Sequence, residues 1–291
     1  MIIIITGPTA TGKTKLSIEL AKKYHGEIIN ADSTQVYKGL NIATAKVTEE
    51  EKEGIIHHLL DIKDLSDEYS VYNFQKDCRD IINKLKEKNK VPIIVGGTGL
   101  YIKAALFDYQ FNDEVKYDYS SYSNDELYDK LLTYEPDTKI HKNNRQRLER
   151  RINFYENNSK ITNNKDKLLY SDAIFIGLTT NREQLYDRIN KRVDKMITDG
   201  LLDEAKKIYN LKINSKAILT PIGYKELFPY FNGDYSLDEA INLIKQRSRN
   251  YAKRQYTWFN HQLDLKWFDV DYDNFSNTIN EVIKYIEEVK Q

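Results

Sequence analysis

The residues best equipped for chemistry lie at the start of the chain. In MIIIITGPTATGKTKLSIEL, Gly7, Gly12, Lys13 and Thr14 follow the pattern G-x-x-x-x-G-K-S/T. The glycines let the backbone of Gly7, Pro8, Thr9, Ala10, Thr11 and Gly12 curl around an anion with its N–H groups turned inward. Lys13 adds a point charge, and the Thr14 hydroxyl can bind Mg²⁺. An apolar run precedes the loop and a helix-like stretch follows it, so a helix N-terminus adds its dipole. Such a loop grips a di- or triphosphate and leaves open what the phosphate is attached to. The bland alternative is a chance Gly-rich turn.

Asp32, in EIINADS, is the second such residue. It should sit at the C-terminal edge of a sheet, near the phosphates, where open α/β sheets bind ligands. There it is a metal-positioning group, a general base, or only the cap of the next turn. An NTPase usually carries a further strand-end acid to position Mg²⁺, but VPIIVGGTG (91–99) ends in Gly-Gly-Thr. His57 and His58 are adjacent, and neighbours on a strand point to opposite faces, so no metal pair is read there.

These residues need a frame. Isoleucine-rich runs at 2–5, 27–30, 92–95 and 173–178 read as buried strands. Helical patterns at 13–24 and 71–89 separate the first three. Strand–helix alternation argues for a parallel sheet with helices on both faces, an α/β, P-loop NTPase-like fold. The alternation breaks after Phe111. From 112 to 168 the chain is polar and rich in Tyr, Asn, Lys and Asp, which reads as a helical insertion. The core, 1–111 and 169–291, resumes with helices at 182–197, 200–211 and 237–260. An amphipathic helix closes the chain.

Composition narrows the class. Lys+Arg and Asp+Glu both number 44 in 291 residues, so any nucleic-acid footprint must come from local clusters of basic residues. A single cysteine, Cys78, excludes an internal disulfide framework and a Cys-pair zinc site. No apolar run approaches the ~20 residues of a membrane span. A cytoplasmic protein without a membrane anchor is expected.

Six segments carry a resemblance. GPTATGKT (7–14), ADSTQVYKGLNIATAK (31–46), VGGTGLY (95–101), RVDKMITDGLLDEA (192–205), IGYKEL (222–227) and YAKRQYTWF (251–259) occur in the order seen in tRNA dimethylallyltransferases, also called tRNA isopentenyltransferases. The chain resembles that family over most of its length. Members transfer a dimethylallyl group from dimethylallyl diphosphate to N6 of adenosine 37, beside the tRNA anticodon. The resemblance implies that the loop holds a prenyl diphosphate with Mg²⁺, that Asp32 is the general base, and that Arg192 and Thr9 serve the diphosphate and its reacting end. Arg192 by itself reads equally as a surface helix arginine. The resemblance further puts Asp32, Ser33, Thr34, Gln35 and Thr98 around the flipped base. In the insertion, Gln146, Arg147, Leu148, Glu149 and Arg150 stand where the family carries tRNA contacts. Departures are Thr34, Asn41 and Ala43 in the second segment, and RIN (151–153) after QRLER.

Charge agrees with an RNA partner. Residues 245–254 hold Lys245, Arg247, Arg249, Lys253 and Arg254 without an acid. Residues 139–151 hold six cations against Glu149. These clusters suit phosphate contacts, although a charge run is otherwise a solvated helix face. The aromatics at 256–259 read as core packing. A monomer is expected. The rival readings are a P-loop small-molecule kinase, an ATP-gated RNA-binding protein, and a prenyltransferase acting on free adenine nucleotides.

Overall fold

The computed structural model describes residues 1–111, 115–157 and 167–290. A six-stranded, all-parallel sheet has the order β3-β2-β4-β1-β5-β6. Its strands are β1 (Ile2–Thr6), β2 (Gly26–Asn30), β3 (His57–His58), β4 (Val91–Val95), β5 (Ala173–Thr179) and β6 (Lys266–Asp269). β1 lies between β4 and β5, and Ile2 to Ile5 are all fully buried. A strand covered on both faces needs apolar side chains at every position, which explains the unbroken isoleucine run.

Alternation along β1 divides the core. Ile3 and Ile5 join Ile28, Ile93 and Ile176 in a cluster with α1 (Lys13–Tyr24) and α11 (Phe275–Val289). Ile2 and Ile4 join Ile29 and Ile94 in a cluster with α2 (Val71–Glu87) and α3 (Gly99–Leu106). That cluster extends into α6 (Arg182–Thr198), α7 (Leu201–Asn210), α9 (Tyr224–Asn232) and the long α10 (Leu237–Gln262). Short α8 (Lys216–Leu219) precedes α9.

The four strands read from apolar runs are present. β3 and β6 were not expected: one is a His-His pair, the other is KWFD, and neither carries an apolar run. Both are edge strands, which need only one neighbour and one covered face. Among the described residues, no helix is long and apolar enough to cross a membrane.

The chain divides into two compact units, 1–107 with 168–291, and 108–167. The expected insertion bounds were 112 and 168. Phe107 stays with the first unit, its ring 6.1 Å from that of Phe175 and its backbone bridging Leu168. The second unit contains α4 (Asn124–Tyr134) and α5 (Arg145–Glu156) around Tyr119, Leu127, Leu131, Leu148 and Ile152. Leu148 is therefore corrected: it is fully buried as a core residue and offers no side chain to RNA. Spacing explains this, since Leu148 and Ile152 lie one turn apart on a face turned away from the exposed Arg147 and Arg150.

Candidate active site

The phosphate loop bends between β1 and α1. Gly7 has φ 131°, and a Cβ there would stand 2.3 Å from the Leu178 carbonyl oxygen. Gly12 has φ 85°, and its Cβ would meet the Phe275 ring at 2.6 Å. Both positions thus require glycine. The first turn of α1 has no side-chain cap, which leaves its N–H groups for an anion.

Lys13 folds back over the loop, donating to the carbonyls of Gly7 (3.0 Å) and Pro8 (2.6 Å). Burial pushes its ammonium down to about 7, helped by the positive charge of Arg192 and opposed by the carboxylate of Asp32. Arg192, from α6, donates to the Thr9 hydroxyl at 3.0 Å. Burial lowers its pKa too. Arg192 is therefore not a surface arginine; it stands over the loop. Thr11 is inward, its hydroxyl bonded to the Pro8 carbonyl. Thr14 is exposed on the wall of the site.

Asp32 lies two residues beyond β2. Its Oδ1 accepts from the Thr34 amide (3.0 Å) and hydroxyl (2.7 Å). The capping role and the place in the site coexist, one oxygen serving the turn. Asn30 steadies that turn by accepting from the Asp32 amide. Thr98 Oγ1 accepts from the Ser33 amide at 3.1 Å, joining the Asp32 turn to the segment after β4. Gln35 donates to the carbonyls of Thr44 and Ala45.

One cavity of about 820 Å³ gathers these groups. Thr9, Ala10, Gly12, Lys13, Thr14 and Arg192 line one part; Asp32, Ser33, Thr34, Gln35, Gly96 and Gly97 line another. Gly7, Pro8, Thr11 and Thr98 support its walls without lining it.

The basic run on α10 looks different in three dimensions. Lys245 pairs with Asp194, and Arg247 with Glu226 (2.5 Å), whose side chain is fully buried. Arg249 donates to Asn190. Arg247 lines the cavity, while Arg249 does not. Tyr256 is exposed and tilts against Trp267, whereas Phe259 is buried. In the second unit, Gln146, Arg147 and Arg150 are exposed, and Glu149 pairs with Arg145.

Sequence reading missed Gln255, which lines the cavity together with Tyr251 and Arg254 of the basic run. The signal for Gln255 was available: Ala252, Gln255 and Phe259 share the buried face of α10, so a glutamine occupies a place in an apolar stripe. Burial raises the Tyr251 phenol well above its usual pKa, with the Asp32 charge adding to the effect.

A sequence model of the family described as IPP transferase matches residues 35–262. The chain belongs to that family. It is 48% identical, over 98% of its length and 96% of the relative's, to a tRNA dimethylallyltransferase of Anoxybacillus flavithermus. Among solved structures, a full-length tRNA isopentenylpyrophosphate transferase of Bacillus halodurans is similar with a TM-score of 0.75 and 40% identity, covering 99% of this chain and 97% of that one. A eukaryotic dimethylallyltransferase, described as acting on tRNA, is similar with a TM-score of 0.86 and 32% identity, covering 97% of this chain and 77% of that one.

Several IPP transferase segments meet at one carboxylate. Glu204 accepts from the amides of Asn41, Ile42 and Ala43, and the Tyr224 hydroxyl donates to it at 2.7 Å. Because backbone amides make the tie, it does not depend on which side chains stand at Asn41 and Ala43.

Proposed function

We propose that this prenyltransferase moves a dimethylallyl group from dimethylallyl diphosphate to N6 of adenosine 37 in tRNA, releasing diphosphate. The observation that carries the reading is the single cavity in which a phosphate loop faces Asp32. Family membership supplies the substrate class.

The adenine N6 lone pair is delocalised into the ring and attacks poorly. Asp32, accepting the N6 proton as the N–C bond forms, makes it a better nucleophile; a positioned base is worth ~10²–10⁴ in rate. The allylic C–O bond breaks towards the loop, where backbone amides, Lys13 and Arg192 receive the charge of the departing diphosphate. Thr9, held by Arg192, lies beside the reacting end. The target base has to leave its stack to enter, at a cost of a few kcal/mol. Ser33, Thr34 and Gln35 then form its surroundings, with Thr98 holding the Ser33 amide from behind, and Arg147 and Arg150 contact phosphates.

The donor set suits Mg²⁺. Among the described residues no cluster of three or more His, Cys, Asp or Glu could cage a metal, and Mg²⁺ characteristically relies on water, substrate phosphates and few protein ligands. Thr14 would hold it together with the diphosphate oxygens, and when bound it would add neutralising charge at the leaving group. We place the protein in the cytoplasm as a monomer.

Incubation with labelled dimethylallyl diphosphate and unmodified tRNA tests this. Label recovered as N6-(dimethylallyl)adenosine supports the reading. Transfer to free adenine nucleotide instead, or phosphoryl transfer from ATP to a small molecule without prenylation, overturns it in favour of the corresponding rival.

A further inference from the structure

The two parts of the cavity are carried by segments far apart in sequence, and one side chain joins them. Gln255 is nearly fully buried. Its Oε1 accepts from the Thr9 amide at 2.9 Å, and its Nε2 donates to the Gly97 carbonyl at 3.0 Å. An amide N–H only donates and a carbonyl only accepts, so these partners fix which way the side-chain amide faces. Gly97 is fitted to this contact, because a Cβ there would stand 2.2 Å from Gln255 Nε2. The 96–98 segment in turn backs the Asp32 turn. A Cβ on Gly96 would meet the Ala31 carbonyl at 2.3 Å, the Thr98 amide donates to the Ala31 carbonyl, and Thr98 holds the Ser33 amide. Tyr251 lines the cavity alongside Gln255.

We propose that Gln255 is a positioning residue of the prenyl transfer: its amide sets the gap between the diphosphate-holding loop and the turn carrying Asp32. The inference rests on the functional reading above. Transfer needs the allylic carbon and N6 held together at near-contact distance, and a displacement of about 1 Å costs ~10²-fold in rate. Both polar ends of the Gln255 amide are engaged by the protein, one by the Thr9 amide and one by the Gly97 carbonyl, so it acts through the loop and the turn. Its loss should therefore fall on turnover and spare binding.

Two variants test this. Gln255→Leu removes both bonds at similar size. The expected result is a kcat lower by ~10²-fold, with KM for dimethylallyl diphosphate and for tRNA changed by less than about threefold. Gln255→Glu keeps the shape. Its ionised carboxylate still accepts from Thr9 but faces the Gly97 carbonyl oxygen; only the protonated acid can donate there. Its kcat relative to wild type should therefore rise as pH falls. Asp32, Lys13, Arg192 and Tyr251 line the site in both proteins, so the ratio at each pH compares the two on a common background.

Wild-type kcat in Gln255→Leu overturns the inference. So does a kcat ratio for Gln255→Glu that does not change with pH, which also decides the matter if the leucine variant fails to fold. A wild-type protein that does not prenylate tRNA at all overturns the functional reading and takes this inference with it.

Discussion

Asp32 and Lys13 carry opposite burdens, and each can be tested alone. Asp32→Asn keeps an oxygen for the Thr34 amide and hydroxyl, so the turn should survive. Single-turnover prenylation should nonetheless fall by ~10²–10⁴, while calorimetry shows unchanged dimethylallyl diphosphate binding. Retention of more than about a tenth of the rate removes the base assignment. For Lys13 the sign follows from its pKa of about 7 in the free protein. Below that value the side chain is already charged; above it the ammonium must be regained when an anion binds. Affinity for dimethylallyl diphosphate should therefore decline as pH rises past about 7. At about pH 8 the ligand's own phosphate, with a last pKa near 6, is already ionised. Calorimetry there in two buffers of different ionisation heat should register net proton uptake. Uptake should vanish in Lys13→Met, and heats independent of buffer in the wild type would refute the coupling.

At the scale of elements, the phosphate loop and α1 were legible because local rules fix them. Glycines at the bends and a helix from Lys13 to Tyr24 follow from steric limits and spacing alone. The edge strands were not legible, since a parallel pair depends on a distant neighbour. Long-range pairing also hid the fate of the α10 arginines: no pattern within 245–254 tells that Glu226 waits on α9. That pairing predicts a stability effect. Arg247→Ala leaves the buried Glu226 carboxylate with the Gly223 amide (2.7 Å) but no cation. Arg247 is itself 44% exposed, so water screens the pair and breaking it costs about 1–2 kcal/mol, between an exposed and a fully buried pair; thermal unfolding should shift down by a few degrees, with Arg247→Lys recovering part of the loss. An unchanged melting temperature in Arg247→Ala would show the pair to be incidental. Gln255 escaped reading for a related reason. Its place in the stripe was visible, but its partners lie 246 and 158 residues away.

On the scale of the whole molecule, net charge is zero, so RNA attraction has to be local. Arg147 and Arg150 are exposed on α5 and have no acidic partner among the described residues, unlike Arg145 and Arg151, which pair with Glu149 and Glu135. Neutralising Arg147 and Arg150 together should lower the slope of log tRNA affinity against log salt by roughly 0.7 to 0.9 for each phosphate that is no longer neutralised. The weakening should be similar for every tRNA, since phosphates carry no sequence. Fluorescence titration at several salt concentrations measures it, and an unaltered slope would mark this face as merely solvated. The way the chain leaves and re-enters the first unit has a separate consequence. Phe107 and Leu168 are bridged backbone to backbone, so everything between them hangs from two adjacent points. Such an attachment is a natural splice site. A shorter loop, or the corresponding segment of a relative, could be grafted there without re-registering a single strand of the sheet. Every residue that lines the cavity lies outside 108–167 and would be retained.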